Sequence, residues 1–305
     1  MDSSTYGQLN IFHAIASEGS ISAAARRLGM ATASASQSLK QLEATVGVPL
    51  FVRTTRRIQL TEAGQQLLQR TKGALQSLQD AIEDVQSQGQ EPSGSVRITL
   101  SRFAWLLVLK PLFAEFCRRY PKLQLDISIQ DGTINLIDQG IDMGIRFNDV
   151  VDEGMVARRL LPSFREGLFA TRRYLDAHGT PRTPADLSHH ALVGYRFITS
   201  NRLYPLTLKI GDREETVDMP TSIICNDIDV MNDAIRAGLG IGRIFEPIHS
   251  LQPDRDAFIP VLEPYWRPYP PVCLYYLQKS QKAKRVQVLV EFLLDRLTSA
   301  RPPSA

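Results

Sequence analysis

A chain of 305 residues with 43% hydrophobic and 22% charged residues has the composition of a soluble globular protein of two or three domains. A membrane protein is excluded because no stretch reaches the roughly 20 apolar residues of a spanning helix, and the N-terminus lacks the features of a secretory signal. The net charge is +3, and residues 1–60 alone contain six basic and three acidic side chains. This segment therefore holds the whole excess of positive charge, which favours a polyanionic partner.

The first predicted elements are two helices joined by a tight turn. Ser20–Leu28 predicts a short helix, Gly29 supplies a turn in which a positive φ is easily adopted, and residues 32–45 predict a second helix. On the second helix, the apolar positions fall on one stripe, formed by Ala35, Leu39, Leu42 and Val46. The other face presents short polar groups and one cation, which suit the major groove of DNA: Thr32, Ser34, Ser36, Gln37 and Lys40.

Residues 49–60 follow as two short extended runs joined by a basic turn. This pattern predicts a wing beside the helix-turn-helix. The wing would place four side chains near DNA phosphates: Arg53, Thr54, Arg56 and Arg57.

Residues 62–88 predict one long helix. Its heptad positions are Leu68, Thr71, Leu75, Leu78, Ile82 and Val85, which is the spacing of a helix that pairs with a partner helix. Packing of this helix on its own domain is the alternative. A linker rich in Gly, Pro and Ser follows over residues 88–95.

From residue 96 onward, predicted strands alternate with helices, which indicates a parallel sheet with crossover helices. A helix is predicted over residues 103–120 and another over 284–297. Strands are predicted at residues 96–100, 125–129, 142–147, 167–170, 222–225, 241–244 and 272–276.

The sequence contains no catalytic constellation, so we expect neither an enzyme nor a bound cofactor or metal. The glycines from Gly238 to Gly242 lie between a helix and a strand, in the reverse order of a phosphate-binding turn, and Gly238 is better explained as a helix C-cap. Neighbouring His189 and His190 have no companion ligands. Three scattered cysteines without metal-ligand spacing predict buried thiols in a reducing compartment, the cytoplasm.

The N-terminal motifs identify a family. They run from Phe12 through Gly19-Ser20 and Ala23-Ala-Ala-Arg-Arg-Leu28 to Gln41-Leu-Glu43, Leu50-Phe-Val-Arg-Thr-Thr-Arg56 and Leu60-Thr-Glu-Ala-Gly64. This set resembles the LysR-type transcriptional regulators, and the later regions match the family in order and length. Two departures lie on the DNA-facing helix. The family usually begins it with Ser-Gln-Pro where this chain has Ala31-Thr-Ala33, and often has arginine where Gln37 stands.

The lost serine removes a helix N-cap, for which Thr32 could substitute, and Gln37 favours adenine over guanine. The resemblance implies an α/β fold with an N-terminal all-α winged helix-turn-helix (1–61), a long linker helix and hinge (62–93) and a two-lobed periplasmic-binding-protein-like effector domain (94–305). Lobe one would comprise residues 94–164 and 268–300, and lobe two residues 165–267.

The effector would lie between the lobes, beside loops that follow the strands. The arginines there suggest a carboxylate-bearing effector and the aromatic residues an apolar part. Tyr195 lies at such an edge, and the candidate contacts are Ser101, Arg102, Asp131, Thr133, Arg146, Phe147, Arg196, Phe197, Asn226, Asp227 and Arg243.

The sequence therefore predicts a sequence-specific DNA-binding transcriptional regulator that responds to a small-molecule effector. The resemblance implies a homodimer or homotetramer on double-stranded DNA, with RNA polymerase as a further partner. The alternative is a solute-binding or enzymatic α/β protein with an accessory helical unit. It is less favoured because neither an export signal nor a reactive cluster is visible in the sequence.

Overall fold

The computed structural model describes residues 4–53, 58–86, 91–132, 134–148, 155–277 and 283–299. The chain forms two compact units. The first comprises Met1–Gln90 with Asn135–Ile141, and the second comprises Glu91–Ile134 with Asp142–Ala305.

The first unit is a winged helix-turn-helix followed by a long helix. Its elements are α1 (Thr5–Glu18), α2 (Ile21–Arg27), α3 (Thr32–Val46), β1 (Phe51–Arg53), β2 (Ile58–Leu60) and α4 (Glu62–Gln86). Ser20 caps α2 by accepting a hydrogen bond from the Ala23 amide, and Gly29 in the turn has φ +64° as expected. Strands β1 and β2 pair antiparallel as the wing.

The start and end of α3 correct two expectations. The residue before α3 is Ala31, no side chain caps the helix, and Thr32 is already its first residue. The expectation that Thr32 replaces the lost cap is therefore wrong, because a residue inside the first turn does not occupy the capping position. Val46 is also not part of the inner stripe. It is the last residue of α3, lies outside the core that contains Ala35, Leu39 and Leu42, and is 40% exposed.

Helix α4 packs on its own unit through its N-terminal and central turns. Leu68 and Leu75 contact the core of the helix-turn-helix. Thr71 donates a hydrogen bond to the Leu67 carbonyl at 2.6 Å, and its oxygen lies 2.7 Å from His13 Nε2 on α1. Leu78 and Ile82 are each 51% exposed, so the second half retains an open apolar stripe. The side chain of Val85 lies outside the described residues.

Near its start, α4 also lies against the loop before the wing. A Cβ on Gly64 would come within 2.1 Å of the Leu50 carbonyl oxygen. Glycine at this position therefore permits a close approach that no other residue allows without a shift of the backbone.

The second unit contains a five-stranded sheet. Its strands are β3 (Gly94–Leu100), β4 (Leu123–Ile129), β5 (Met143–Phe147), β6 (Met155–Leu161) and β15 (Val272–Leu277). They lie in the order β4-β3-β5-β15-β6. The helices that accompany them are α5 (Arg102–Ala104), α6 (Phe113–Arg119) and α11 (Lys284–Ser299), while α7 (Leu136–Gln139) groups with the first unit.

Between β6 and β15 the chain builds a second sheet around β7 (Phe164–Thr171), which pairs with β12 (Gly242–Phe245), β13 (Phe258–Val261) and β14 (Arg267–Tyr269). Two smaller pairs lie beside it, β8 (Leu192–Tyr195) with β11 (Thr221–Cys225) and β9 (Thr207–Ile210) with β10 (Arg213–Thr216). The helices are α8 (Arg172–His178), α9 (Ile228–Arg236) and α10 (Glu246–Leu251). Gly238 follows Ala237, the C-cap of α9, and its φ of +75° is that of a glycine which terminates a helix.

The expected parallel sheet is only partly correct. Strands β3, β4 and β5 are parallel, but β15 runs antiparallel to β5 and β6, and β7 is antiparallel to all its partners. A parallel sheet is predicted from alternating strands and helices on the assumption that each connection returns to the same sheet through one crossover. Here the chain leaves the first sheet after Leu161 and returns at Val272 in the opposite direction.

The helix expected over residues 103–120 is interrupted. After α5, residues Trp105–Leu109 form a π-helical turn in which the Lys110 amide donates to the Trp105 carbonyl. Pro111 follows, and α6 begins at Phe113. Proline has no amide hydrogen and its ring collides with the preceding turn, which explains the break. The expected burial of all three cysteines is also wrong, because Cys117 on α6 is exposed.

Candidate functional site

The predicted DNA-facing side chains of α3 lie outside the buried stripe of this helix. Thr32, Ser34, Gln37 and Lys40 are exposed, while Ser36 is half-buried. The hydroxyl and amide groups at these positions could exchange hydrogen bonds with base edges in the major groove.

Arg53 ends β1, but its side chain lies outside the described residues, as do Thr54, Arg56 and Arg57 entirely.

In the second unit, residues of both sheets line one cavity of about 580 Å³. This volume is in the range of pockets that bind small organic molecules. Seven residues expected from the sequence line it: Ser101, Asp131, Arg146, Phe147, Tyr195, Phe197 and Arg243.

Arg243, on β12, is 2% exposed. Its Nη1 donates to the Pro205 carbonyl at 2.7 Å and its Nη2 to the Tyr204 carbonyl at 2.9 Å, while the guanidinium lies 4.0 Å from the centre of the Tyr204 ring. Arg146, on β5, is 6% exposed and donates from Nη2 to Thr99 Oγ1 at 3.4 Å. The buried Nε atoms of both arginines have no hydrogen-bond acceptor among the described residues.

A polar cluster that the sequence did not predict forms another part of the wall. Glu166 on β7 is 7% exposed. Its Oε2 accepts hydrogen bonds from Arg267 Nε at 3.4 Å and from the Tyr204 hydroxyl at 3.3 Å, and Tyr204 lies 3.3 Å from the Tyr269 hydroxyl. Burial raises the pKa of Glu166, and the charges of Arg243 and Arg267 oppose this rise.

Aromatic rings form the apolar part of the wall. Phe147, Phe245 and Tyr269 lie within 5.4 Å of one another between ring centres. Phe103 contacts the first two, at 4.9 Å and 5.0 Å. Such a surface suits a planar apolar group.

Asp131 is the second carboxylate of the cavity. It accepts a hydrogen bond from the Arg102 amide at 2.9 Å. Burial raises its pKa, whereas this hydrogen bond and the charges of Arg146 and Arg102 lower it. Burial likewise raises the pKa of Tyr195, so that its hydroxyl stays protonated.

Four expected contacts do not line the cavity: Arg102, Arg196, Asn226 and Asp227. The Arg102 guanidinium binds Asp229 on α9 instead, at 2.5 and 2.8 Å. Asp227 caps α9 by accepting from the amides of residues 229 and 230. Arg196 and Asn226 are exposed, and Thr133 lies outside the described residues.

Sequence reasoning missed the polar cluster on β7, on β14 and before β9, and also apolar lining residues on α5, α9 and β12. Only one of them left a signal, since Glu166 is a charged residue inside an apolar strand. Charged side chains are rarely buried without a reason. Within the described part of the chain, no helix meets the length and hydropathy of a membrane span, and no group of three potential metal ligands exists.

Comparison with known proteins agrees with both units. The model of the bacterial regulatory helix-turn-helix protein, lysR family, matches residues 6–65, and that of the LysR substrate binding domain matches residues 89–298. The HTH-type transcriptional regulator CrgA of Neisseria meningitidis is 28% identical over 95% of this chain and 96% of its own length. The HTH-type transcriptional activator AaeR of Escherichia coli K12 is 30% identical over 94% of this chain and 92% of its own length.

Solved structures of full-length regulators match the same fold. CrgA superposes with a TM-score of 0.60 at 26% identity, over 95% of this chain and 98% of CrgA. LysG of Corynebacterium glutamicum, solved with bound effector Arg, superposes with a TM-score of 0.58 at 22% identity, over 99% of this chain and 100% of LysG. The chain therefore belongs to the LysR-type transcriptional regulators, non-enzymatic DNA-binding proteins with a helix-turn-helix and an effector-binding domain.

Proposed function

We propose that the cavity of the second unit binds a carboxylate-bearing effector with an aromatic body. The observation on which this depends is that two buried arginines, Arg146 and Arg243, line the cavity. A buried charge is costly unless a group of opposite charge pairs with it, so a carboxylate supplied by a ligand would stabilise these guanidinium groups.

The chemistry of the acceptor follows from the donors and the walls. Guanidinium groups form their strongest hydrogen bonds with planar anions such as carboxylates. The rings of Phe103, Phe147 and Phe245 would cover an aromatic group. A free phosphate would use the arginines but not this apolar surface.

Isothermal titration of the full-length protein with benzoate and phenylacetate tests the proposal. We expect saturable binding that Arg146→Gln weakens roughly tenfold or more, because a hydrogen bond to a charged group contributes about 1.5–3 kcal/mol. Arg196→Gln is the matched control, since Arg196 is exposed and does not line the cavity. Absence of binding, or equal losses in the two variants, would contradict the proposal.

In the first unit, the exposed side chains of α3 would select bases, with Arg53, Thr54, Arg56 and Arg57 of the wing on the phosphates. The open stripe of Leu78 and Ile82 supports a homodimer through α4, and two dimers would form a homotetramer. Such an assembly acts on chromosomal DNA in the cytoplasm, where RNA polymerase is its further partner at a promoter.

The dimer is tested by sedimentation of the variant with both Leu78→Gln and Ile82→Gln. Glutamine keeps the helix propensity but removes the apolar contact. We expect a smaller assembly and weaker retention of duplex DNA than for the parent protein. An unchanged mass would exclude this part of α4 from the interface.

A further inference from the structure

A turn that follows β8 stands at the mouth of the cavity. Of the described residues that line the cavity, most are buried or half-buried. The exposed ones are four consecutive residues of this turn, Phe197, Ile198, Thr199 and Ser200. They therefore lie between the interior of the cavity and the solvent.

The base of this turn is held in place by hydrogen bonds. Arg243 donates to the Tyr204 carbonyl at 2.9 Å, and the Phe197 amide donates to the Arg202 carbonyl at 2.9 Å. A movement of the turn that keeps these hydrogen bonds is confined to its tip, residues 198–201. Short segments between fixed ends are the usual moving parts of ligand-binding sites.

The tip contacts the opposite wall of the cavity at Gly132. This glycine follows β4 of the five-stranded sheet, whereas the turn follows β8. A Cβ on Gly132 would lie 3.1 Å from Thr199 Oγ1 and 3.6 Å from Ile198 Cγ2. Glycine thus allows the tip to approach this wall closely, and a larger side chain would push the tip away.

The turn exposes apolar side chains that a bound molecule could cover. Phe197 is 40% and Ile198 52% exposed, although both line the cavity. Removing apolar surface from water is favourable, and an aromatic molecule beneath the tip would shield these side chains. A molecule that contacts the tip only in its closed position shifts the equilibrium toward that position.

We propose that residues 198–201 form a lid, which separates from Gly132 to admit the effector and then closes over it. The lid would govern the rates of association and dissociation, because a molecule enters or leaves only while the tip is open. This inference rests on the proposed function in taking the cavity as the effector site. It does not depend on which acid is bound.

The competing explanation is that the turn is a fixed part of the wall. A disulfide between the tip and residue 132 distinguishes the two cases, because it stops a lid from opening but changes nothing in a fixed wall. A Cβ on Gly132 would lie 3.1 Å from Thr199 Oγ1, the atom that a cysteine sulfur would replace, which is compatible with a disulfide. Gly132 also does not have the positive φ that disfavours a side chain.

The test measures how fast chloramine-T, an aromatic anion that oxidises methionine, reacts with Met231 in the full-length protein, by mass spectrometry. Met231 lines the cavity and is 7% exposed, whereas the partly buried Met219 does not line it and serves as the internal reference. The locked protein carries Gly132→Cys and Thr199→Cys, with Cys117→Ser because Cys117 is exposed. In the matched control both cysteines of the lock are replaced by serine, which has nearly the same size and cannot form the link.

We expect the disulfide to slow the oxidation of Met231 roughly fivefold or more relative to the serine control, because locking removes the open state through which the reagent enters. Oxidation of Met219 should be unchanged. Replacing residues 198–201 by an Asn-Gly turn, which closes a hairpin without the tip, should speed oxidation of Met231 roughly tenfold or more, since a minor open state is populated at about 0.1–10%. If this shortened variant does not fold, the locked protein decides.

Equal rates for Met231 in the locked protein and the serine control would overturn the lid and leave the carboxylate proposal intact. Failure of the two cysteines to link on oxidation would also overturn the lid, since the tip would then not meet residue 132. Failure of every aromatic acid to bind would instead overturn the proposed function alone, because chloramine-T measures access to the cavity and not affinity for an effector.

Discussion

Replacing Arg102 distinguishes two roles for a residue next to the cavity. The sequence suggests that it contacts the effector, whereas in the structure its guanidinium binds Asp229. Arg102 lies on α5, directly after β3 of the first sheet, and Asp229 lies on α9, which packs against β7 and β12 of the second. The ion pair therefore joins the two walls of the cavity and should stabilise the arrangement that binds the effector.

The exposure of the two side chains limits the free energy that the ion pair contributes. Arg102 is 33% and Asp229 45% exposed, so solvent screens the attraction to about 1 kcal/mol at most. That corresponds to a roughly fivefold change in effector affinity. A direct hydrogen bond from Arg102 to the effector carboxylate would instead contribute about 1.5–3 kcal/mol, and its loss would weaken binding by roughly tenfold or more.

A double-mutant cycle separates the two cases. The dissociation constant of the tightest-binding acid is measured for Arg102→Gln, Asp229→Asn and the double variant, at low and high salt. We expect both single variants to weaken binding by up to about fivefold, the double variant to be no weaker than either, and the differences to shrink with salt. A loss above tenfold for Arg102→Gln with no effect of Asp229→Asn would refute the ion-pair explanation.

Three further expectations concern the first unit. Gln37→Arg should move the preferred base at its position from adenine toward guanine, and selection from randomised duplexes would measure the shift. Gly64→Ala should destabilise the unit by about 1–3 kcal/mol because of the close carbonyl, whereas Gly7→Ala, with no atom within 4 Å of the new Cβ, should be neutral or stabilising in thermal unfolding. Burial, followed by the charge of Lys72, lowers the pKa of His13. Neutral His13 should therefore stabilise the unit fully above about pH 6.5, and this contribution should be lost as the pH falls toward the lowered pKa of the folded protein. In the His13→Gln variant, the melting temperature should depend less on pH over that interval.

The helix-turn-helix could be predicted from the sequence because its signals are local. Ser20 caps α2, Gly29 adopts the positive φ of the turn, and Leu39 and Leu42 fall on the buried side of α3. Each of these depends on residues fewer than ten positions apart. The two exceptions lie at the ends of α3. Thr32 is already inside the helix and does not cap it, and at Val46 the periodic pattern continues but the core does not.

The part of the cavity wall that belongs to the five-stranded sheet could be predicted for a related reason. Ser101, Asp131 and Phe147 lie at or just after the carboxyl ends of β3, β4 and β5, and these strands are parallel, so their ends meet at one edge. What the rule does not give is the direction of each side chain. Arg102 follows the same strand end as Ser101, but an acid on α9 holds its guanidinium outside the cavity lining.

The part of the wall formed by β7 and its partner strands depends on antiparallel pairings between distant parts of the chain. Glu166 on β7 lies opposite Arg267 on one side and Phe245 on the other. A slip of one residue in either pairing would turn the opposite side chain away from the cavity, because neighbours along a strand face opposite sides. The chemistry that Glu166 and Arg267 present to an effector is thus determined by strand pairing across about a hundred residues. The DNA-facing side of α3, by contrast, depends on one continuous helix. A family resemblance in local motifs can therefore identify the scaffold of such a regulator while leaving its effector to be found from the registers of the second sheet.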